Sequence, residues 1–188
     1  MYQPANRSRL RDATHSRHVI LDTLVGRIDS AAAYLAYLSG IAAFRISAEQ
    51  ALRAAPWPDI LQGWQPQHLT PLLMQDLADL ALPPPPPIAM PPLETAPATA
   101  GMLYVLEGSS LGARILVRQA ADQGFTATHG ARHLAAQADR HSPWKDFVSR
   151  LDRLPAGSCA ADRAAMQTFD SAILAMQSVA PSQIQKKP

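Results

Sequence analysis

Gly101-Met-Leu-Tyr-Val-Leu-Glu-Gly-Ser-Ser-Leu-Gly-Ala-Arg-Ile-Leu-Val117 carries the tension on which the fold turns. Leu103, Leu106, Leu111, Ile115 and Leu116 recur at helical steps, so the stretch predicts an amphipathic helix. Gly108 and Gly112 sit in its middle, each costing about 1 kcal/mol against alanine in a helix interior. Ser109 and Ser110 weaken the same turn, because their hydroxyls compete for backbone hydrogen bonds. Periodicity and local propensity disagree here, and such conflicts gather at functional sites. Two glycines one turn apart strip side chains from one face. Either another helix packs closely there or something flat and bulky approaches the backbone; this stretch alone leaves both open. A membrane dimer of the GxxxG kind is excluded by Glu107, Arg114 and Arg118, which interrupt any spanning run.

A chain of 188 residues suffices for one domain with a sizeable core. Hydrophobic residues make up 47% but aromatics only 6%, a balance that favours helices over strands. The net charge of +2 is small and the arginines are scattered, which argues against a nucleic-acid partner. Cys159 stands alone, so neither a disulfide framework nor a thiolate metal site is available. Met1 to Arg7 holds no apolar signal core, and no stretch is expected to reach membrane length. The expectation is a cytoplasmic, monomeric protein with no membrane partner.

Outward from the glycine-bearing stretch, apolar spacing divides the chain into helices. Asn6 or Ser8 should cap a first helix ending at about Val25, with Gly26 as its stop. Leu10, Ala13, Ile20, Leu21 and Leu24 make its apolar face, and Arg11, His15, His18 and Asp22 form a second row. A helix from Ala31 to about Phe44 follows. Ser47-Ala-Glu-Gln50 has capping-box spacing and predicts a separate short helix to about Ala55. Another runs from about Gln67 to Leu80, with Pro71 in its first turn.

Residues 82 to 97 hold eight of the seventeen prolines and predict an extended polyproline strap within one domain spanning 1–180. The central helix, capped by Thr95 with Pro97 just inside, should end near Gly124. Ser142-Pro-Trp-Lys145 predicts a helix start running to about Leu154, then a turn at Pro155 to Gly157. A last helix runs from Ser158 to about Val179, and the polar tail 181–188 is expected to be disordered. The sum is an all-α, single-domain bundle of about seven helices.

Several chemistries are excluded by what is missing: no nucleophile elbow, P-loop or dinucleotide fingerprint occurs. His129 and His133 are four apart, as in two-histidine metal sites, but without HExxH or a third ligand they read as surface histidines. Asp76, Asp79 and Glu107 read as a solvated face. There remain a histidine row on one helix and a glycine break on another. A lone helical histidine is ordinarily exposed or satisfied; paired with a side-chain-free patch, it suits a planar metal macrocycle held between two helices.

Leu10-Arg-Asp-Ala-Thr-His-Ser-Arg-His18 resembles the opening motif of the heme oxygenases, and Tyr104-Val-Leu-Glu-Gly-Ser-Ser-Leu-Gly-Ala113 is similar to the distal-helix motif of their bacterial members. The resemblance covers about residues 8 to 178, with the strap least typical. It implies a heme-oxygenase-type helical fold with His18 as proximal iron ligand and Asp22 hydrogen-bonded to the ligand's far nitrogen. Gly108 and Gly112 match the distal glycines over which the helix kinks, and Ser109, in the same turn, would help hold ordered water. Arg11, Lys145 and Arg150 match propionate partners, Tyr104 a propionate or edge contact, and Phe169 and Met176 an apolar wall.

The activity so implied is opening of heme by O2 and reducing equivalents to biliverdin, CO and ferrous iron. The chain has no motif for NADPH or flavin, so electrons would come from an external reductase or ferredoxin, and a biliverdin acceptor is a further implied partner. Two positions depart from the pattern: Ser109 replaces an acid that some members carry, and Ala113 a second glycine. The alternatives are a non-catalytic heme carrier or sensor on the same scaffold, and a helical adaptor that binds no heme.

Overall fold

The computed structural model describes residues 6–139, 143–155 and 158–179. Among them run eight α-helices and no strand: α1 (Asn6–Val25), α2 (Ala31–Leu52), α3 (Thr70–Asp79), α4 (Ala96–Gly108), α5 (Ser110–Asp122), α6 (Arg132–Asp139), α7 (Pro143–Leu151) and α8 (Cys159–Val179). A 3-10 turn, Asp59–Leu61, lies between α2 and α3. The all-α bundle expected from composition is therefore the observed architecture. Ser142, Gly157 and the tail, on which helix-start, turn and disorder expectations fall, lie outside the described residues, as does His141.

The last helix is the hub. α8 packs against α1, α2 and α4, while α3 and α6 cover α2 and α5, and α7 lies across α4 and the 3-10 turn. Close approach of α4 to α8 depends on Gly101: a Cβ there would strike the Ala161 carbonyl of α8. Leu103, Leu106, Ala161, Ala165 and Phe169 fill that contact. Each such fully buried large aliphatic or aromatic chain contributes about 2 kcal/mol. Gly26 ends α1 with φ of 59°, a backbone state that suits glycine.

Four expectations are corrected by the packing. Asn6 does not cap α1; its side-chain amide donates to the carbonyls of Leu151 and Leu154, tying α1 to the end of α7. The separate helix at Ser47 does not form, because α2 continues unbroken to Leu52. Glu49 instead caps α3 from a distance, accepting from the backbone N–H groups of Leu69 and Thr70. Ile20 and Leu24, counted with the buried face of α1, are 48% and 39% exposed, so the second half of α1 has an apolar side facing no helix.

The fourth concerns charge. His133 and Asp76 are fully buried, not solvated: Asp76 accepts from the His133 and Arg132 backbone N–H groups and lies 2.7 Å from His133 Nδ1. Asp79 accepts from Gly130 N–H and pairs with Arg132, fixing α6 to α3. Glu107 is buried as well, and accepts from the Gln67 backbone N–H at 3.2 Å.

By length and composition α2 also reaches membrane-spanning size, with a mean hydropathy of 1.3, contrary to the expectation that no stretch would. Here it is a core helix that carries the buried Arg45–Glu49 pair. The segment after α3 runs extended, with Leu82, Pro85 and Ile88 turned inward at every third residue and Pro83, Pro84, Pro86 and Pro87 outward. That is the polyproline repeat. Ser47 Oγ accepts from Ile88 N–H and Ser171 Oγ donates to the Ala89 carbonyl, which straps the segment onto α2 and α8.

Candidate functional site

Two rows of residues, one on α1 and one on α4–α5, are tied at two levels. The Thr14 side chain lies close enough to the Tyr104 phenol to lower its pKa. The Gln119 side chain accepts from the Ile28 backbone N–H at 3.1 Å. Tyr104, Gly108, Gly112, Ile115 and Gln119 follow at steps of three or four, hence lie in one row. The row is bare from Gly112 on: a Cβ on Gly112 would meet nothing within 4 Å, and Ile115 is 62% exposed, whereas Gly108 faces the Trp144 ring. His18 lies one turn beyond Thr14, as Gly108 lies one turn beyond Tyr104. The α1 row thus carries an exposed imidazole, and the α4–α5 row carries uncovered main chain at Gly112.

His18 is held from two sides. Its Nδ1 lies 2.8 Å from Asp22 Oδ2, and its ring centroid lies 5.7 Å from that of Phe169 on α8. Its Nε2 has no partner among the described residues. A carboxylate on one ring nitrogen and a free second nitrogen is the arrangement of a metal-ligating histidine.

The α4–α5 row is broken. No hydrogen bond links Ser110 or Leu111 N–H to the carbonyl four residues back, and Gly112 N–H turns to Ser109 O at 3.2 Å. The freed carbonyls find side chains: Ser109 Oγ donates to Leu106 O and Ser110 Oγ to Glu107 O, each at 2.7 Å. The helix expected as one element from Thr95 to Gly124 is therefore two, α4 and α5, meeting at Ser109.

The Tyr104 end of the two rows is cationic and aromatic. The charges of Arg7 and Arg11 reach Tyr104, whose pKa is raised by burial and drawn back down by those arginines and by Thr14. Trp144 packs against Tyr104 at a tilt of 48° with centroids 5.6 Å apart, and its ring edge lies 3.6 Å from where a Gly108 Cβ would stand. A hollow of about 320 Å³, lined by Arg7, Trp144, Lys145, Val148 and Ser149, opens beside it.

The structure brings His18, Asp22 and Phe169 together in one cluster and Arg11, Tyr104 and Gly108 in another around Trp144, with Lys145 beside it, while Gly112 stands open on α5. Three expected residues point elsewhere. Arg150 pairs with Asp146 and donates to the Gln62 carbonyl, beside the 3-10 turn. Met176 is spent on α2, where its sulfur sits over Gly40. The Ser109 hydroxyl faces α6, donating to Leu106 O and accepting from Gln137 Nε2 at 3.1 Å. Sequence reasoning missed Arg7 and Trp144. Arg7 precedes Arg11 by one turn, a spacing that would have found it; Trp144 is placed by tertiary packing and left no such signal.

No family model matches the chain. Two curated relatives share stretches of sequence. Heme oxygenase of Xanthomonas campestris is 32% identical over 107 residues, covering 53% of this chain and 61% of the relative. Heme oxygenase PigA of Pseudomonas aeruginosa is 47% identical over 53 residues, 28% of this chain and 27% of the relative. The chain therefore spans less than two thirds of the curated relatives it matches. Among solved structures, the NO- and CO-bound heme oxygenase of Neisseria meningitidis superimposes with a TM-score of 0.72 at 24% identity, covering 96% of this chain and 98% of that one.

The architecture is the heme oxygenase fold. The solved structure and both curated relatives carry the name heme oxygenase, the former over nearly the whole chain and the latter over parts of it.

Proposed function

We propose that this protein is a heme oxygenase, opening heme to biliverdin, CO and ferrous iron with O2 and electrons from an external donor protein. The observation that carries the reading is His18: a carboxylate holds its Nδ1 and its Nε2 is free among the described residues; main chain left uncovered at Gly112 supports it as the second wall. These residues fit heme, since one nitrogen donor and one bare wall are what a flat iron macrocycle requires.

Bound heme supplies the iron at which O2 is reduced, and its macrocycle is the substrate that is cut. The chain does the rest. Asp22 keeps the His18 proton on Nδ1 and leaves Nε2 as the donor to iron. Phe169 fixes the plane of the imidazole ring from behind. Arg7, Arg11 and Lys145, at the Tyr104–Trp144 end, attract the heme carboxylates and so set which macrocycle edge lies beneath the glycines. Gly108 and Gly112 offer neither a general acid nor a general base of their own, so neither position would compete for proton transfer at the edge.

The test is single turnover. Protein with one equivalent of hemin, a reductant and O2 is expected to lose its Soret band and gain biliverdin absorbance and chelatable ferrous iron. A stable oxygenated complex without ring opening would mark a carrier or sensor, and absence of any Soret complex would mark an adaptor.

A further inference from the structure

The break between α4 and α5 is held from behind by a residue of α2. Arg45 is 2% exposed and spreads its guanidinium over three acceptors: Nε to Glu49 Oε1 at 2.9 Å, Nη1 to Leu106 O at 2.9 Å and Nη2 to Gln67 O at 2.6 Å. Leu106 O is a carbonyl that the break deprives of its helical N–H donor. Around it the same network closes: Gln67 N–H donates to Glu107, Gln67 Nε2 to Ala136 O, and Gln137 Nε2 to Ser109 Oγ. Leu106, Ala113 and Ala120 form the buried back face of α4–α5, while Gly112 stands uncovered.

We propose that Arg45 is a positioning residue of the heme site: by capping Leu106 O it keeps α4 and α5 as two segments and sets how closely the glycine backbone approaches the plane addressed by His18. The inference rests on the heme oxygenase reading for its functional meaning, but its structural half stands apart from it. Leu106 O already accepts from both Arg45 Nη1 and Ser109 Oγ, so a straight helix that brought Ser110 N–H to the same oxygen would have to displace one of them, and the charge-assisted bond to the buried guanidinium is the costlier to lose. Arginine is required because only a planar fork reaches three acceptors from one rigid group; lysine carries charge but presents donors from a single point.

The experiment compares wild type with Arg45→Lys, which keeps a cation beside Glu49. The first readout, in heme-free protein, is amide exchange of residues 109–113 against residues 161–176 of α8. We expect exchange at 109–113 to rise about tenfold in Arg45→Lys with α8 unchanged. With hemin, binding through His18 should stay within about threefold, while the carbonyl stretch of the ferrous CO complex shifts or broadens and the biliverdin isomer ratio changes. Exchange at 109–113 equal to wild type, or rising equally in α8, would overturn the positioning role. If Arg45→Lys does not fold, Arg45→Met/Glu49→Gln, which removes the buried charges together, carries the same comparison. Wild type that binds hemin without opening it would refute the proposed function yet leave the exchange result to decide Arg45.

Discussion

Asp22 Oδ2 lies 2.8 Å from His18 Nδ1, one helical turn along α1, with both side chains more than half exposed. An exposed pair of this kind contributes little to stability. Its consequence is orientation, since the carboxylate keeps the Nδ1 proton and leaves Nε2 as the donor to a metal. Asp22→Asn should leave the melting temperature within about 1 °C, yet weaken hemin binding about tenfold or more. Unchanged hemin affinity would remove Asp22 from the site.

Two of the three glycines of the 101–117 stretch, Gly112 and Gly101, should respond in opposite ways. At Gly112 a Cβ meets open space, so Gly112→Ala should raise the stability of heme-free protein by about 0.5–1 kcal/mol. Under the proposed function the same methyl narrows the space left for heme and slows ring opening. Chemical denaturation paired with single-turnover kinetics reads both. A stability gain without any effect on turnover would place Gly112 outside the reacting space.

At Gly101 a Cβ strikes the Ala161 carbonyl, backbone that cannot rotate away. Gly101→Ala should cost about 1–3 kcal/mol and separate α4 from α8, visible as a lower denaturation midpoint.

Stability should fall between neutral and mildly acidic pH because of His133. Burial lowers its pKa from the ordinary value, although Asp76 pulls the other way. Its Nε2 is buried without a partner among the described residues, which suits a neutral ring bearing its proton on Nδ1. A histidine whose folded pKa is depressed binds fewer protons folded than unfolded, so stability declines as pH drops below the unfolded value of about 6.5. Despite desolvation, Asp76 is lowered by its hydrogen bonds from His133 and Arg132, and Glu49 by the Leu69 N–H, Arg45 and Thr70; both add a loss as pH falls through the carboxylate range. Denaturation midpoints at pH 7 and pH 5 should therefore differ, and the His133→Phe variant should lose most of that difference. A flat profile in wild type would contradict the buried neutral assignment.

Much of the bundle was legible because its signals are local. Pro71 and Pro97 open helices where a missing N–H costs nothing, Gly26 stops one, and the three-residue polyproline repeat keeps 82–94 extended. The conflict at Gly108–Gly112 likewise marked the break between α4 and α5. What escaped was long-range polar pairing. Ser47-Ala-Glu-Gln50 has the letters of a capping box, but Glu49 caps α3, twenty residues on, and Arg45 binds a carbonyl sixty-one residues away. His133 and Asp76 looked like surface residues because their burial depends on each other, and no periodicity records a partner fifty-seven residues distant. Arg150 was misplaced for a related reason: the one-turn pairing with Asp146 turns it to the Gln62 carbonyl.

The central claim is a site in which the His18 imidazole faces bare backbone across a flat iron macrocycle. Hemin titration of wild type and His18→Ala, followed by absorbance and electron paramagnetic resonance, tests it most directly. The account predicts a one-to-one complex with a histidine-ligated ferric signature in wild type, and loss of that signature in His18→Ala with restoration by added imidazole. An identical spectrum from the two proteins would contradict it.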